Sequence, residues 1–226
     1  MLSSIDHLTR GTGTDGLESF LTPMSSVRPF IIDIPSSKLA QIRGRVSAYT
    51  WHQAPVGSGW EYGTEINYMK KLCDYWLKSF DWRTHEQAIN RFPQFVAEVE
   101  GLDLHFIREI GSGPSPQPLL LIHGWPGSIY EFLDVIEPLA HPERFGGSVD
   151  DAFSVVAPSL PGFGFSAKPQ SPTGPRAIAH LLTSLMADTL RYDHFVAQGG
   201  DWGSVIASWI GFEHRDRCDG VHLNMF

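Results

Sequence analysis

Short apolar runs alternate with amphipathic segments through the second half of the chain, and this alternation most constrains the fold. Three runs, Leu119–Ile122, Phe153–Ala157 and Phe195–Gln198, have the length and composition of strands that are buried on both faces. Apolar residues at helical spacing lie between and after these runs, and Gly220–Phe226 is a last predicted strand. This order predicts an α/β fold with a mostly parallel sheet and right-handed crossover connections.

The first half of the chain has a different pattern. Residues 1–28 are rich in Ser, Thr and Gly without a sustained period, a pattern that predicts an N-terminal arm and equally fits a disordered tail. From Pro29 the apolar spacing becomes helical, and a hairpin with its turn at Glu100–Gly101 follows. Cys73 lies on the apolar face of the second helix and is expected in a core. Three helices are predicted, each with a hydroxyl side chain near its start as a cap: Ser36, Thr64 and Thr84.

The change of pattern near residue 108 predicts a division of the chain into three parts. Residues 1–28 form the arm, and residues 29–108 form an N-terminal domain whose helices lead into the first strands. Residues 109–226 form the first part of the α/β core. No internal repeat or low-complexity tract interrupts this organisation.

Charge and cysteine content exclude several classes of protein. There are 17 Lys and Arg residues against 25 Asp and Glu residues, a formal net charge of −8, whereas a nucleic-acid binder needs a basic face. Two cysteines exclude a disulfide scaffold and favour a reducing compartment. The longest stretch without charged residues, 111–130, is interrupted by prolines and glycines, so it is not a membrane span. We therefore expect a cytoplasmic protein.

The segment Gly199–Gly203 lies directly between a predicted buried strand and a predicted helix. This is the context of a nucleophile elbow, in which small residues, here Gly199 and Gly203, let the strand and the helix pack closely. The residue at the centre of such a turn, here Asp201, adopts an unusual backbone conformation and presents its side chain for reaction. The alternative is a glycine-rich turn in which Asp201 only caps the next helix, and this motif alone leaves both open.

A second loop, His123-Gly124-Trp125-Pro126-Gly127, follows the run Leu119–Ile122 and precedes a helix opened by Ser128 and Glu131. In an α/β-hydrolase this loop supplies one N–H of the oxyanion hole, and the residue after the nucleophile supplies the other. The predicted donors are the backbones of Trp125 and Trp202. Gly124 and Pro126 belong to the structural motif of the loop, and we interpret His123 as a structural hydrogen-bonding residue rather than as a general base.

A carboxylate nucleophile suits attack on a saturated carbon that bears a leaving group, and the product is an ester of the carboxylate itself. Water must then attack the carbonyl of this ester, so the developing oxyanion is an oxygen of Asp201. The hole made by Trp125 and Trp202 is therefore expected to hold one oxygen of Asp201 while the other oxygen attacks.

With these motifs the chain resembles the epoxide hydrolases of the microsomal type, including their soluble fungal relatives. In the first part, Pro29–Arg108, the motifs of that family's N-terminal domain are Gly59–Gly63, Tyr75–Trp76, Asp81–Arg83, Asn90–Pro93 and Gly101–Phe106. In the second part, Leu119–Phe226, the motifs are shared by many α/β-hydrolases and are His123–Ser128, Pro161–Ser166 and Gly199–Gly203.

The resemblance implies that Asp201 opens a small apolar epoxide to a vicinal diol, with water as the second substrate and with no metal ion or cofactor. It leaves a homodimer open for a full-length form. It also implies a helical lid with two tyrosines, an acidic residue, and a histidine that activates water. None of these can be assigned. All six tyrosines precede Asp201, and the only histidines after it, His214 and His222, follow too closely for the remaining strands to lie between. We therefore expect a truncated hydrolase that turns over poorly.

Three alternatives remain at this stage. A haloalkane dehalogenase would use the same aspartate and would bind halide with Trp202, although residues 29–108 argue against it. A noncatalytic hydrolase fragment would retain the core for binding. A dinucleotide-binding domain is disfavoured, because Gly162–Ser166 has two glycines where that fingerprint has three. Four aromatic residues either line an apolar pocket or pack in the ordinary way: Trp125, Phe163, Phe165 and Trp202.

Overall fold

A computed structural model describes residues 27–225, so the predicted arm lies almost wholly outside the described residues. The strands are β1 (Arg28–Phe30), β2 (Gln94–Val99), β3 (Leu102–Glu109), β4 (Gln117–Ile122), β5 (Phe153–Pro158), β6 (Phe195–Gly199) and β7 (Cys218–Leu223). The α-helices are α1 (Ser36–Ser47), α2 (Ile66–Lys78), α3 (Trp82–Asn90), α4 (Leu133–Ala140), α5 (Pro175–Ser184) and α6 (Trp202–Glu213). A π-helical turn, Leu185–Thr189, extends α5.

The strands form one mixed sheet in the order β1-β2-β3-β5-β4-β6-β7. Strands β5, β4, β6 and β7 are parallel, and β1, β2 and β3 join them through antiparallel pairings. The predicted α/β fold is confirmed, and so is the hairpin, whose turn places Glu100 and Gly101 at positive φ. Because β3 pairs with β5, the sheet continues across residue 108, where the sequence pattern predicts a domain boundary.

The apolar runs are buried on both faces of the sheet, as their composition predicts. Leu119 and Leu121 of β4 pack in one cluster together with α4, whereas Leu120 and Ile122 pack in a second cluster with α5 and α6. Each such side chain stabilises the folded state by about 1.5–3 kcal/mol when it is fully buried. The last strand was predicted inaccurately, since β7 starts at Cys218 and ends at Leu223.

Three predicted helix caps are wrong: Ser36, Thr64 and Thr84. Helix α1 starts after Pro35, whose side chain makes no cap bond. In α2 the carboxylate of Glu65 accepts the first backbone N–H groups, and in α3 the carboxylate of Asp81 does the same. Thr84 instead donates its hydroxyl to Asp81 over 2.9 Å. A carboxylate displaces a nearby hydroxyl because its charge-assisted bond is stronger and because the helix dipole favours an anion there.

Helices α1 and α2 pack mainly on each other and neither contains a fully buried residue. Cys73, which was expected in a core, is therefore only half-buried. Cys73 and Cys218 are both free thiols. None of the helices between residues 27 and 225 is long and apolar enough to cross a bilayer.

A chain of buried polar side chains fastens the N-terminal segment to the sheet. His105 is fully buried, and its Nδ1 bonds the Ser159 hydroxyl while its Nε2 bonds the Gln94 side-chain oxygen, both over 3.0 Å. Gln94 then donates to Asn90 over 2.9 Å, and the Asn90 amide bonds both the N–H and the C=O of Ile32. Every link is satisfied, so this network joins the segment after β5 to the segment after β1 without an unpaired polar group.

Burial lowers the pKa of His105 to about 4 from its ordinary value of 6.5, because desolvation opposes the charged ring. The unfolded chain therefore binds a proton at pH values where the folded chain does not, and stability falls as the pH drops from 6.5 towards 4. The slope from this one residue reaches about 1.4 kcal/mol per pH unit.

Replacing His105 by Gln removes this titration and disturbs the network. We expect His105→Gln to be less stable than the parent protein at pH 7. The difference in stability should shrink as the pH falls to about 4, because only the parent protein loses stability when its unfolded chain takes up a proton on His105. Urea unfolding at several pH values measures this. His52→Gln, at an exposed histidine, is the control. A stability difference that stays constant with pH would contradict the prediction.

Candidate active site

The turn between β6 and α6 has a backbone that few side chains adopt. Asp201 lies there with φ 53° and ψ −125°, one of three non-glycine residues with positive φ among the described residues. A non-glycine residue in this region is strained, and it persists only where the surrounding structure holds it. The structure thus places Asp201 at a sharp strand–turn–helix connection, with its side chain free of a capping bond to α6.

Three glycines allow the backbones around this turn to approach one another. A Cβ on Gly199 would collide with the carbonyl of Gly203, and a Cβ on Gly203 would collide with the carbonyl of Ile122. A Cβ on Gly124 would lie 2.5 Å from Oδ1 of Asp201. Glycine at these positions is therefore a steric requirement of the elbow and of the loop that faces it.

The facing loop directs a backbone N–H at the carboxylate. The N–H of Trp125 donates to Oδ1 of Asp201 over 2.7 Å. This bond, and after it the interaction with the N–H of Trp202, holds the pKa of Asp201 below its ordinary value of 3.8. Asp201 is therefore ionised at neutral pH, and its Oδ1 accepts the Trp125 N–H.

His123 has both ring nitrogens engaged by backbone groups. Its Nδ1–H donates to the carbonyl of Gly124 over 3.0 Å, and its Nε2 accepts the N–H of Leu160 over 3.0 Å. Burial lowers its pKa, so the ring is neutral at pH 7. These bonds tie the loop to the segment after β5 and leave no nitrogen free to act on water. The Trp125–Pro126 peptide bond in this loop is cis.

A cleft of about 450 Å³ lies in front of Asp201. Trp125, Glu131, Asn224 and Met225 are among its lining residues, and the Trp125 side chain is 66 % exposed. Trp202 is not among the residues that line this cleft.

Two of the four aromatic residues considered for a pocket are partly buried and pack against the core instead. Phe163 lies 5.4 Å from the His123 ring, and Phe165 lies 5.2 Å from the His105 ring. For Phe163 and Phe165 the ordinary packing interpretation is therefore correct. Both rings cover a buried histidine, which explains why aromatic residues stand there.

Sequence reasoning missed two polar residues of the cleft, Glu131 and Asn224. Glu131 was interpreted only as part of a helix start, but it lies in a 3₁₀ turn, Ile129–Phe132, ahead of α4. Asn224 was assigned to the last strand, but it follows β7, its N–H bonds the carbonyl of Gly199, and its side chain contacts Gly200. A usable signal existed for Asn224, because the carboxyl ends of neighbouring parallel strands meet at one edge of a sheet.

The two histidines that follow Asp201 do not lie in the cleft. His214 ends α6, whose 12 residues separate it from Asp201, and its ring stacks on His180 at 5.5 Å. His222 lies on β7 and lines an adjoining apolar groove of about 760 Å³ between α4 and the sheet, which shares Glu131 and Asn224 with the cleft. Within residues 27–225 no group of three or more His, Cys, Asp or Glu side chains is arranged to hold a metal ion.

Comparisons with known proteins cover almost the whole described chain. Residues 27–132 match the model of the epoxide hydrolase N terminus, and residues 117–225 match the model of the alpha/beta hydrolase fold. A putative epoxide hydrolase of Stigmatella aurantiaca is 39 % identical over 88 % of this chain and 45 % of the relative. Epoxide hydrolase 1 of Sus scrofa is 36 % identical with the same coverage.

The structure of the Aspergillus niger epoxide hydrolase superposes with a TM-score of 0.81 at 32 % identity, over 90 % of this chain and 53 % of that one. The chain thus spans about half the length of the curated relatives that it matches. The two matched models overlap and together run from residue 27 to residue 225. On this basis the chain combines an epoxide hydrolase N-terminal domain with an α/β-hydrolase fold, and the relatives that it matches are named epoxide hydrolases.

Proposed function

We propose that the chain carries the nucleophilic part of an epoxide hydrolase active site, with Asp201 as the nucleophile. The observation that carries the proposal is the bond from the Trp125 N–H to Oδ1 of Asp201 at a positive-φ turn. It leaves Oδ2 as the attacking oxygen. Trp125 and Trp202 are the proposed oxyanion donors, and His123, Gly124, Pro126, Gly199 and Gly203 are the proposed structural residues.

The first step forms a bond between Asp201 and an epoxide carbon while the bond from that carbon to the ring oxygen breaks. The ring oxygen takes up a proton and becomes a hydroxyl group. In the second step water adds to Cγ of Asp201 and loses a proton, and the negative charge develops on the oxygen that faces the Trp125 and Trp202 amides. Collapse of this adduct releases a vicinal diol and returns the carboxylate.

The exposed Trp125 ring and Met225 make part of the cleft apolar, which supports an apolar epoxide as the substrate.

The compartment and the domain division are two further proposals. Free thiols at both cysteines support a reducing compartment such as the cytoplasm. The division at residue 108 is a proposal that limited proteolysis would test.

Replacing Asp201 by Asn removes the charge at nearly constant shape. We expect the parent protein, incubated with an apolar aryl epoxide such as styrene oxide, to gain the mass of one epoxide on the peptide that contains Asp201. Asp201→Asn is expected to gain none, because an amide is a poor nucleophile. Intact-mass and peptide mass spectrometry measure the adduct, and Asp188→Asn, at an exposed carboxylate, is the control.

Run in ¹⁸O water, the same experiment identifies the bond that water attacks. If water adds to Cγ, hydrolysis of the ester leaves ¹⁸O in Asp201, and the diol from a first turnover carries the unlabelled oxygen of the carboxylate. An adduct on another side chain, or label in the diol alone after one turnover, would contradict the proposed nucleophile.

Replacing Gly124 by Ala tests the contact between the facing loop and the carboxylate. The added Cβ would lie 2.5 Å from Oδ1 of Asp201, so the carboxylate or the loop must move and the Trp125 bond is lost. We expect the ester to hydrolyse about 100-fold more slowly, as for loss of an oxyanion donor. Gly174→Ala, where nothing lies within 4 Å of the added Cβ, is the matched control. Equal ester lifetimes in the two variants would refute the assignment of this loop.

A further inference from the structure

Glu131 contacts both ends of the loop that faces Asp201. One carboxylate oxygen of Glu131 lies in the space that a side chain at Gly127 would occupy. The backbone N–H of Gly124, at the other end of the loop, interacts with the same carboxylate and lowers its pKa, although burial has the larger effect and raises it. Between these two contacts lie Trp125 and Pro126.

Gly127 permits the first contact, since any side chain there would collide with the Glu131 carboxylate. The carboxylate of Glu131 thus fills the space beside Gly127, four residues earlier in the chain, and bridges the backbone of the turn. Trp125 has its N–H aimed at Asp201 over 2.7 Å in the middle of this bridged segment. A shift of the loop by a few tenths of an ångström would lengthen that bond.

We propose that Glu131 is a positioning residue, whose carboxylate holds the loop Gly124–Gly127 so that the Trp125 N–H points at Asp201. This inference rests on the proposed function for its catalytic meaning. Glu131 acts through the loop and the Trp125 amide, and it has no assigned step in the chemistry. Glu131 lines the same cleft as Asp201.

The turn that carries Glu131 is itself anchored. The N–H of the preceding residue, Tyr130, bonds the Ser128 hydroxyl over 3.2 Å, and the Tyr130 hydroxyl bonds Nδ1 of His85 over 2.8 Å. His85 belongs to α3, in the region matched by the N-terminal family model. The N-terminal domain therefore reaches the nucleophile through His85, Tyr130 and the turn that carries Glu131.

The two carboxylates also influence each other electrostatically. Burial, and to a smaller extent the charge of Asp201, raises the pKa of Glu131. Esterification of Asp201 removes that charge and, with it, this smaller part of the rise in the pKa.

Two variants with the same charge separate positioning from electrostatics. Glu131→Gln keeps an oxygen that can accept the Gly124 N–H, whereas Glu131→Ala removes it. Amide NMR of the whole chain without substrate measures the Trp125 N–H, and Asp201→Ala gives the signal of an unbonded amide. We expect Glu131→Ala to move the Trp125 resonance towards that signal and to raise its hydrogen exchange about tenfold, equivalent to about 1.4 kcal/mol. Glu131→Gln should stay within about threefold of the parent protein.

Asp134→Ala, an exposed carboxylate on α4, is the control for loss of charge and should leave Trp125 unchanged. If Glu131→Ala does not fold, Glu131→Asp replaces it, because the shorter side chain keeps the charge and withdraws from Gly127. Equal Trp125 signals in the alanine (or aspartate) and glutamine variants would overturn the inference. The measurement needs no epoxide, so failure of the parent protein to form an ester would overturn the proposed function and leave this test intact.

Discussion

The hydrogen bond from the Trp125 N–H to Asp201 is the contact on which the site depends. It joins a loop after β4 to a turn after β6, and it exists because these two strands are parallel neighbours with Ile122 opposite Gly199. Parallel pairing places both carboxyl ends at one edge of the sheet, so two distant segments of sequence converge there. The strain of the positive-φ turn is held by this packing.

The same contact explains the distribution of glycines around the site. Gly199, Gly203 and Gly124 each face a backbone or side-chain atom that leaves no room for a Cβ. Farther from the site, the His105 network ties the N-terminal segment to the sheet, and the pair His85–Tyr130 ties α3 to the turn that carries Glu131. The N-terminal domain is thereby joined to the catalytic edge by polar contacts, in addition to the strand pairing of the sheet.

Local patterns predicted those features whose cause is itself local. The apolar runs became buried strands because only a strand with two covered faces needs so continuous a run. The caps at Thr64 and Thr84 failed because acidic residues nearby, Glu65 and Asp81, cap α2 and α3 instead. The cap at Ser36 failed because α1 begins at Ser36 itself, after Pro35. The sequence did not decide whether Phe163 and Phe165 line a pocket or pack in the ordinary way. An aromatic residue fits both a pocket wall and the space over a buried histidine.

The sequence by itself determined the α/β class, the position of Asp201 between a buried strand and a helix, and the glycine-flanked loop that faces it. Each follows from residue type and spacing along a short segment. Tertiary structure alone decided that Glu131 shares the cleft with Asp201 and that His214 and His222 do not line it. Those relations depend on strand order and on how closely backbones approach, and neither quantity is encoded in local periodicity.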